Sequence, residues 1–388
     1  MGVKSNVWKL YIFRFVSSFS LIAPVVVPFY FSLNFTNTQI FVLTSIYMVA
    51  TCLFEVPSGY LADIVGRRKT LFLHGLMYVI GALIYAFFSN FYLFALAQFI
   101  FGLGGSFMSG TTEALNYDSL RQIKQTRLFK KTEGISRVSL RLGASSASFI
   151  SSFLVLYSLR LPFYAYVFTC ALLIPITLSM IEPERKKLIA KRGHAKEILN
   201  IAKYVTTHKK IRSITLYNSL LFSASIIGVW SYYIYYKELG LDPAYNGIIY
   251  GVFLIISAAG AFSTHYVEKI IGTKYSFYAL ALPAVVFWVL GLYKSVYLIP
   301  FIFLNGYIWG FSRPLFAHGT NKLIKSEKRA TILSVTNMAK TLLYTAVAPV
   351  FGKLTDVFSL STTYLMFAIY FLLVAVFSVY LMEKYRMI

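Results

Sequence analysis

Charge is what this sequence has least of. Only 13% of its 388 residues are charged, against about 25% in an ordinary soluble domain. Acids are scarcest, with 14 Asp and Glu beside 37 Lys and Arg. So little charge cannot cover a water-facing surface of this size. Cysteine is almost missing. Cys52 and Cys170 each stand in an apolar run, which excludes a disulfide framework and a thiolate zinc site. The five histidines show no metal-ligand spacing. No glycine-rich loop closes on a phosphate-binding lysine, and no nucleophile–base pair can be named. No metal, no cofactor and no enzyme chemistry are expected, and ATP is not the expected energy source.

What remains is apolar and aromatic: 58% hydrophobic residues and 18% Phe, Tyr and Trp, a composition suited to lipid and headgroups. A helix needs about 20 apolar residues to cross the hydrocarbon core. Twelve segments qualify: 7–30, 39–62, 70–88, 92–117, 134–157, 162–181, 211–236, 244–267, 275–292, 296–317, 330–352 and 361–382. The first is too long for the apolar core of a leader and reads as a span.

Basic residues are distributed unevenly over the connections. Even-to-odd connections and both termini hold 27 Lys and Arg, odd-to-even connections hold four, and six lie within spans. That asymmetry places both termini in the cytoplasm of a multi-pass plasma (inner) membrane protein. It also accounts for most of the net charge of +23. Nucleic acid is therefore not an expected partner; the bilayer and a small molecule are. The chain divides into a six-helix bundle at 1–181, a cytoplasmic linker at 182–212 and a second six-helix bundle at 213–388. Within the linker, Ile198, Ile201, Ala202 and Val205 recur at helical spacing, with Lys196 and Lys203 off that face. An amphipathic surface helix or a solvated basic linker would both give this pattern.

Between spans two and three stands Gly59-Tyr60-Leu61-Ala62-Asp63-Ile64-Val65-Gly66-Arg67-Arg68-Lys69. Gly59 would let helices approach closely. Asp63 could accept from a neighbouring helix N-terminus, Gly66 permits a sharp reversal, and Arg67 and Arg68 would stay at headgroup level. The run resembles the signature loop of the major facilitator superfamily and stands where that family has it. The resemblance implies an all-α membrane protein of twelve transmembrane helices in two pseudo-symmetric six-helix bundles. It also implies a conformational gate at Asp63 and Arg67, with Asp118 as the partner of Arg67. The second half carries a degenerate counterpart, from Gly260 through Glu268 to Gly272. The stretches Phe54–Gly59 and Ser109–Asp118 look like a prokaryotic, drug-efflux-like branch. Gln98 stands where many proton-coupled members have arginine, and span five lacks the antiporters' proline; both departures weaken that assignment.

Ionisable groups inside spans are costly, by about 2.5–3.5 kcal/mol or more at the centre. Arg14, Glu55, Glu113, Arg137 and Arg141 fall at similar depths. Arg14 would pair with Glu55, and Glu113 with Arg137 or Arg141. Such a network either holds the bundle together or couples transport to protons or another ion. Arg313 and Lys340 are further intramembrane cations; with Asn218, Trp230, Tyr233, Asn305, Trp309 and Asn337 they would line a substrate cavity. The expected function is secondary active transport of a small organic solute by alternating access, as a monomer, through proton-coupled, multidrug-like efflux. Uptake of an organic anion and a lipid-handling or flippase-type role are the alternatives.

Overall fold

The computed structural model describes residues 2–184, 203–324 and 329–387. They form fourteen helices of six or more residues joined by short turns and three single-turn 3-10 segments. These are α1 (Asn6–Ser18), α2 (Val26–Ser32), α3 (Asn37–Val65), α4 (Arg67–Phe87), α5 (Phe91–Met108), α6 (Thr111–Gln122) and α7 (Phe129–Val155), followed by α8 (Leu161–Ser179). After the linker come α9 (Lys209–Glu238), α10 (Ala244–Ala279), α11 (Leu282–Leu292), α12 (Ile299–Leu323), α13 (Arg329–Val357) and α14 (Leu360–Lys384). Among the described residues, eight helical segments are long and apolar enough to cross a membrane.

Several boundaries depart from the hydropathy pattern for local reasons. The run 7–30 is two helices, because Ser17, Ser18, Ser20 and Pro24 interrupt hydrogen bonding while leaving the run apolar. The run 92–117 breaks after Met108, where Gly110 takes a positive φ of 71°. Helix α7 starts at Phe129, five residues before the apolar stretch, so Glu133 and Arg137 share its first turns. Side chains cap several starts. Asn90 Oδ1 accepts from Tyr92 N at 2.8 Å and Leu93 N at 3.3 Å, and Ser359 Oγ accepts from Thr362 N at 3.1 Å. The surface helix expected around Ile198, Ile201 and Ala202 lies outside the described residues; Val205, at its end, is buried.

The chain forms two compact units. The first gathers residues 1–35, 46–190 and 242–251, and the second 36–45, 191–241 and 252–388. In the first, α4 packs on α5 and α8, and α1 on α7 and α8. Leu10, Phe13, Leu71, Leu115, Leu173 and Met180 form a core cluster there. In the second, α9 packs on α12, α13 and α14, and α11 on α14. Close approach depends on missing side chains. A Cβ on Gly143 would fall 2.2 Å from the Phe15 carbonyl oxygen, and one on Gly310 only 1.7 Å from that of Ser257. Small residues serve this role in bilayers, where lipid tails remove the hydrophobic drive between helices. Large apolar side chains cover the outside: Phe87, Phe153, Phe168, Phe262 and Leu373 are each more than 60% exposed. An exposed apolar surface of this extent requires an apolar solvent.

Candidate functional site

The reversal between α3 and α4 is built on Gly66, whose φ of 120° and ψ of 144° exclude ordinary L side chains. It frees the first N–H groups of α4, and Glu182 meets them: its two oxygens accept from Arg67 N and Arg68 N, each at 2.8 Å. Arg68 answers in the other direction. Its guanidinium donates to the carbonyls of Thr177 at 3.3 Å and Leu178 at 2.7 Å, at the C-terminal end of α8. One helix start is thus satisfied by an acid and one helix end by a base, the signs the two helix dipoles prefer. The sequence reading placed Arg68 at headgroup level and gave the helix-N-terminus role to Asp63. In the structure Arg68 caps α8, and Glu182 is a carboxylate that accepts from the start of α4. A loop acid beyond the last span has no periodicity to mark it.

Arg67 turns the other way. Its Nη2 lies 3.1 Å from Asp118 Oδ2 and 3.7 Å from Asp63 Oδ1. Asp118 is buried near the end of α6, and Asp63 is half-buried one turn before Arg67. Gly59 is not a point of close helix approach, because a Cβ there would meet nothing within 4 Å.

A second cluster lies where α1, α6 and α7 meet. The Arg14 side chain is 6% exposed, and its Nη1 lies 3.1 Å from Glu133 Oε1. Arg14 Nη2 donates to Thr112 Oγ1 at 2.7 Å and lies 3.9 Å from Glu113 Oε1. Arg137 closes the ring: its Nη2 donates to Glu113 Oε1 at 3.0 Å and its Nε to Glu133 Oε1 at 3.2 Å. Two arginines and two glutamates balance in charge. Their exposure is graded, from 6% at Arg14 and 12% at Glu133 to 44% at Glu113 and 67% at Arg137. Both arginines use Oε1 of Glu133, and its buried Oε2 has no hydrogen-bond partner among the described residues.

Glu133 is the member that sequence reasoning missed. It falls one residue before the apolar run of span five, although its i, i+4 spacing to Arg137 was visible. Arg14 finds Glu133 and Glu113 where Glu55 was expected. Glu55 sits half-buried on α3, within electrostatic reach of Cys52. Of the two arginines proposed for Glu113, Arg137 makes the contact. Arg141, one turn further, lies within electrostatic reach of Tyr250.

In the second unit the expected cavity residues fall into local groups. Asn305 is fully buried and donates to the Tyr232 hydroxyl. Gly228 makes room for it, since a Cβ there would stand 2.8 Å from Asn305 Nδ2. The rings of Trp230 and Tyr233 lie 6.3 Å apart. The exposed Arg313 places its guanidinium 4.6 Å from the centre of the Trp309 ring, one turn back on α12. Lys340 Nζ donates to Asn337 Oδ1 at 3.1 Å, within α13. Asn218 is half-buried on α9. Each cation thus has a neutral neighbour on its own helix.

The sequence profile of the Major Facilitator Superfamily matches residues 10–349. An uncharacterised MFS-type transporter of Methanocaldococcus jannaschii is 27% identical over 165 residues, 42% of this chain and 42% of that one. Among solved structures, a single-residue variant of the nucleoside transporter NupG superposes with a TM-score of 0.84 at 16% identity, over 98% of this chain and 100% of that one. A POT family transporter in complex with 5-aminolevulinic acid gives 0.75 at 14% identity, over 96% and 95%. A bacterial homologue of the human lysosomal transporter Spinster, inward-facing and occupied, gives 0.73 at 16% identity, over 98% and 97%. At these identities the likeness is one of fold.

Proposed function

The chain belongs to the Major Facilitator Superfamily, and from that premise we propose a proton-coupled, efflux-type transporter of small organic solutes working by alternating access. Membership makes it a multi-pass membrane transporter with a small-molecule substrate. The finer parts are proposals: twelve spans in bundles at 1–181 and 213–388, both termini in the cytoplasm of the inner membrane, a monomer, and a solute range like that of the drug-efflux branch. Asp63, Arg67 and Asp118 act as the conformational gate, with Gly66 setting the turn and Arg68 tying it to α8.

The observation that carries proton coupling is the ring of Arg14, Glu113, Glu133 and Arg137, buried at Arg14 and Glu133 and open at Glu113 and Arg137. A carboxylate leaving an arginine in a low dielectric takes up a proton more readily. Glu133 offers a bare, buried oxygen for one, and Glu113, at 44% exposure, offers a route to solvent. Protonation removes one negative charge and leaves Arg14 underpaired, so the ring holds in one protonation state and loosens in the other. Glu55, half-buried on α3, is the third acid proposed for this role.

The test is flux in proteoliposomes under an imposed pH gradient, with cationic dyes and organic acids as trial solutes. Glu113→Gln and Glu133→Gln should abolish gradient-driven flux while leaving solute exchange at equal pH. Full gradient-driven flux in both, and in Glu55→Gln, would overturn the coupling role. A second reading, transport of organic anions, is favoured by the exposed Arg313 over Trp309 and by Lys340 on α13. Stabilisation of the purified protein by organic acids, lost in Lys340→Ala, would decide for it. Stabilisation by cationic dyes would decide for efflux of cations.

A further inference from the structure

Each unit has a corner where a glycine of positive φ breaks the helical path, between α3 and α4 in the first and inside α10 in the second. In the first it is Gly66, and in the second Gly272, with φ of 82°. Both corners enclose cavities, and their charges differ. The first corner, of about 610 Å³, is lined by Arg68 and Lys69 together with Glu182 and Glu184. Two cations there stand beside two carboxylates of the chain itself. The second, of about 230 Å³, is lined by Lys210 from α9, His318 and Lys322 from α12, and Arg386 beyond α14. Its one carboxylate, Glu268, accepts from Thr273 Oγ1 at 2.8 Å. Glu383, in the last turn of α14, pairs elsewhere, with Lys274 Nζ at 2.8 Å and the Tyr278 hydroxyl at 3.1 Å. The second corner therefore gathers three permanent cations around a single acid.

Its floor is apolar and firm. Ile214, Phe277, Leu315 and Met382 line it and are each no more than 2% exposed. A cationic rim over an apolar floor suits an anion that carries hydrocarbon. The volume argues for size, since drug-sized ligands take roughly 300–1,000 Å³; this cavity holds a headgroup instead. Clustered Lys and Arg beside a bilayer attract anionic lipid, and a phosphate offers several acceptor oxygens to lysine and arginine at once.

We propose that the second unit carries a binding site for the phosphodiester headgroup of an anionic phospholipid, held by Lys210, Lys322 and Arg386, with the first acyl carbons against Phe277 and Met382. The site does the work in one unit that Glu182 does in the other, supplying a negative group to the corner. It stands independently of which solute is carried.

The test uses the full chain in nanodiscs of phosphatidylcholine with or without phosphatidylglycerol, followed by native mass spectrometry of retained lipid and by the thermal unfolding midpoint. Phosphatidylglycerol should be retained at one per chain and raise the midpoint. Lys322→Glu with Arg386→Glu should weaken retention by more than about 30-fold, the effect of merely removing two cations near a bilayer surface. Lys124→Glu with Arg127→Glu makes the same charge change in a basic loop of the first unit and should leave retention unchanged. Equal loss in both pairs, or no retained lipid in the wild type, would overturn the site. Protection by inorganic phosphate in plain phosphatidylcholine, matching that of the lipid, would overturn the headgroup assignment in favour of a free anion. If the glutamate pair does not fold, Lys322→Gln with Arg386→Gln is read in the same way.

Discussion

In the first unit, Glu113, Asp118 and Glu133 lie within helices and meet arginines that are themselves largely buried or shared. In the second, Glu238 ends α9, and Asp356 and Glu383 stand one residue from the ends of α13 and α14. They bond lysines and backbone N–H groups at the rim: Glu238 meets Lys294 at 2.7 Å, and Asp356 meets the first residues of α3. In the second unit Arg313 lies over the Trp309 ring and Lys340 donates to Asn337. An acid inside a helix bundle is held only while its arginine stays, so its protonation and the local packing are linked. Glu113, Asp118 and Glu133 thus stand inside helices, and Glu238, Asp356 and Glu383 near helix ends.

The sharpest way to break this comparison is to remove one acid from the interior of the first unit. Glu133→Gln leaves Arg14, 6% exposed, with Thr112 as a neutral acceptor and Glu113, at 3.9 Å, as the remaining carboxylate. Breaking one side of a buried pair costs about 3–5 kcal/mol. Glu113 remains, so the low end, about 3 kcal/mol, is expected in thermal unfolding of the detergent-solubilised protein. Arg14→Met combined with Glu133→Leu should recover most of that loss, because the cost comes from an unmatched charge and not from lost attraction. If Glu133→Gln is as stable as the wild type, the ring is not a coupled unit.

Most of the helical architecture was legible in the sequence because burial in lipid writes itself as long apolar runs. The turn at Gly59–Lys69 was legible because glycine and paired arginines are rare at a span end for any other reason. Three kinds of feature were not. Glu133 escaped because hydropathy marks the edge of the apolar run, whereas the helix begins five residues earlier. The break between α1 and α2 escaped because serine and proline stop a helix without making it polar enough to end a hydrophobic window. Glu182 and Arg68 escaped because capping depends on where two distant helix ends meet, and residues 68 and 182 carry no shared period. The partner of Arg14 was misassigned to Glu55 for a related reason. Depth along the helix can be counted at about 1.5 Å per residue, but rotation about its axis decides which neighbour is faced.

A milder way to sharpen the comparison is to substitute the two corner glycines. Gly66 and Gly272 both lie in backbone regions that cost a non-glycine residue about 1–3 kcal/mol. The surroundings differ. A Cβ on Gly66 would stand 3.1 Å from Glu182 Oε2, whereas one on Gly272 would meet nothing within 4 Å. Gly66→Ala should therefore incur the backbone strain and lose part of the Glu182 contact, and Gly272→Ala should incur the strain alone. Unfolding midpoints should fall in that order. The reverse order would mean that the second corner is filled more tightly than the first.

The smallest effects belong to the acids at the rim of the second unit. Asp356 accepts from Asn37 N at 2.9 Å, Thr38 N at 2.8 Å and Thr38 Oγ1 at 2.5 Å, a helix N-terminus closed by a carboxylate. Partial burial pushes its carboxyl upward, and the bonds from Thr38 and Asn37 outweigh that, holding it below the usual carboxylate range. A depressed folded value means that the stabilisation is complete above the unfolded carboxylate range, near pH 4, and is lost as pH falls through the folded value. Asp356→Ala should cost about 1 kcal/mol at neutral pH, as the loss of an N-cap does, and should remove this acid-induced part of the decline. Glu383→Gln loosens an exposed pair with Lys274 and should leave the midpoint unchanged within error. An Asp356 effect as large as that of Glu133 would erase the distinction between rim and interior acids, since a carboxylate that water can reach would then matter as much as one it cannot.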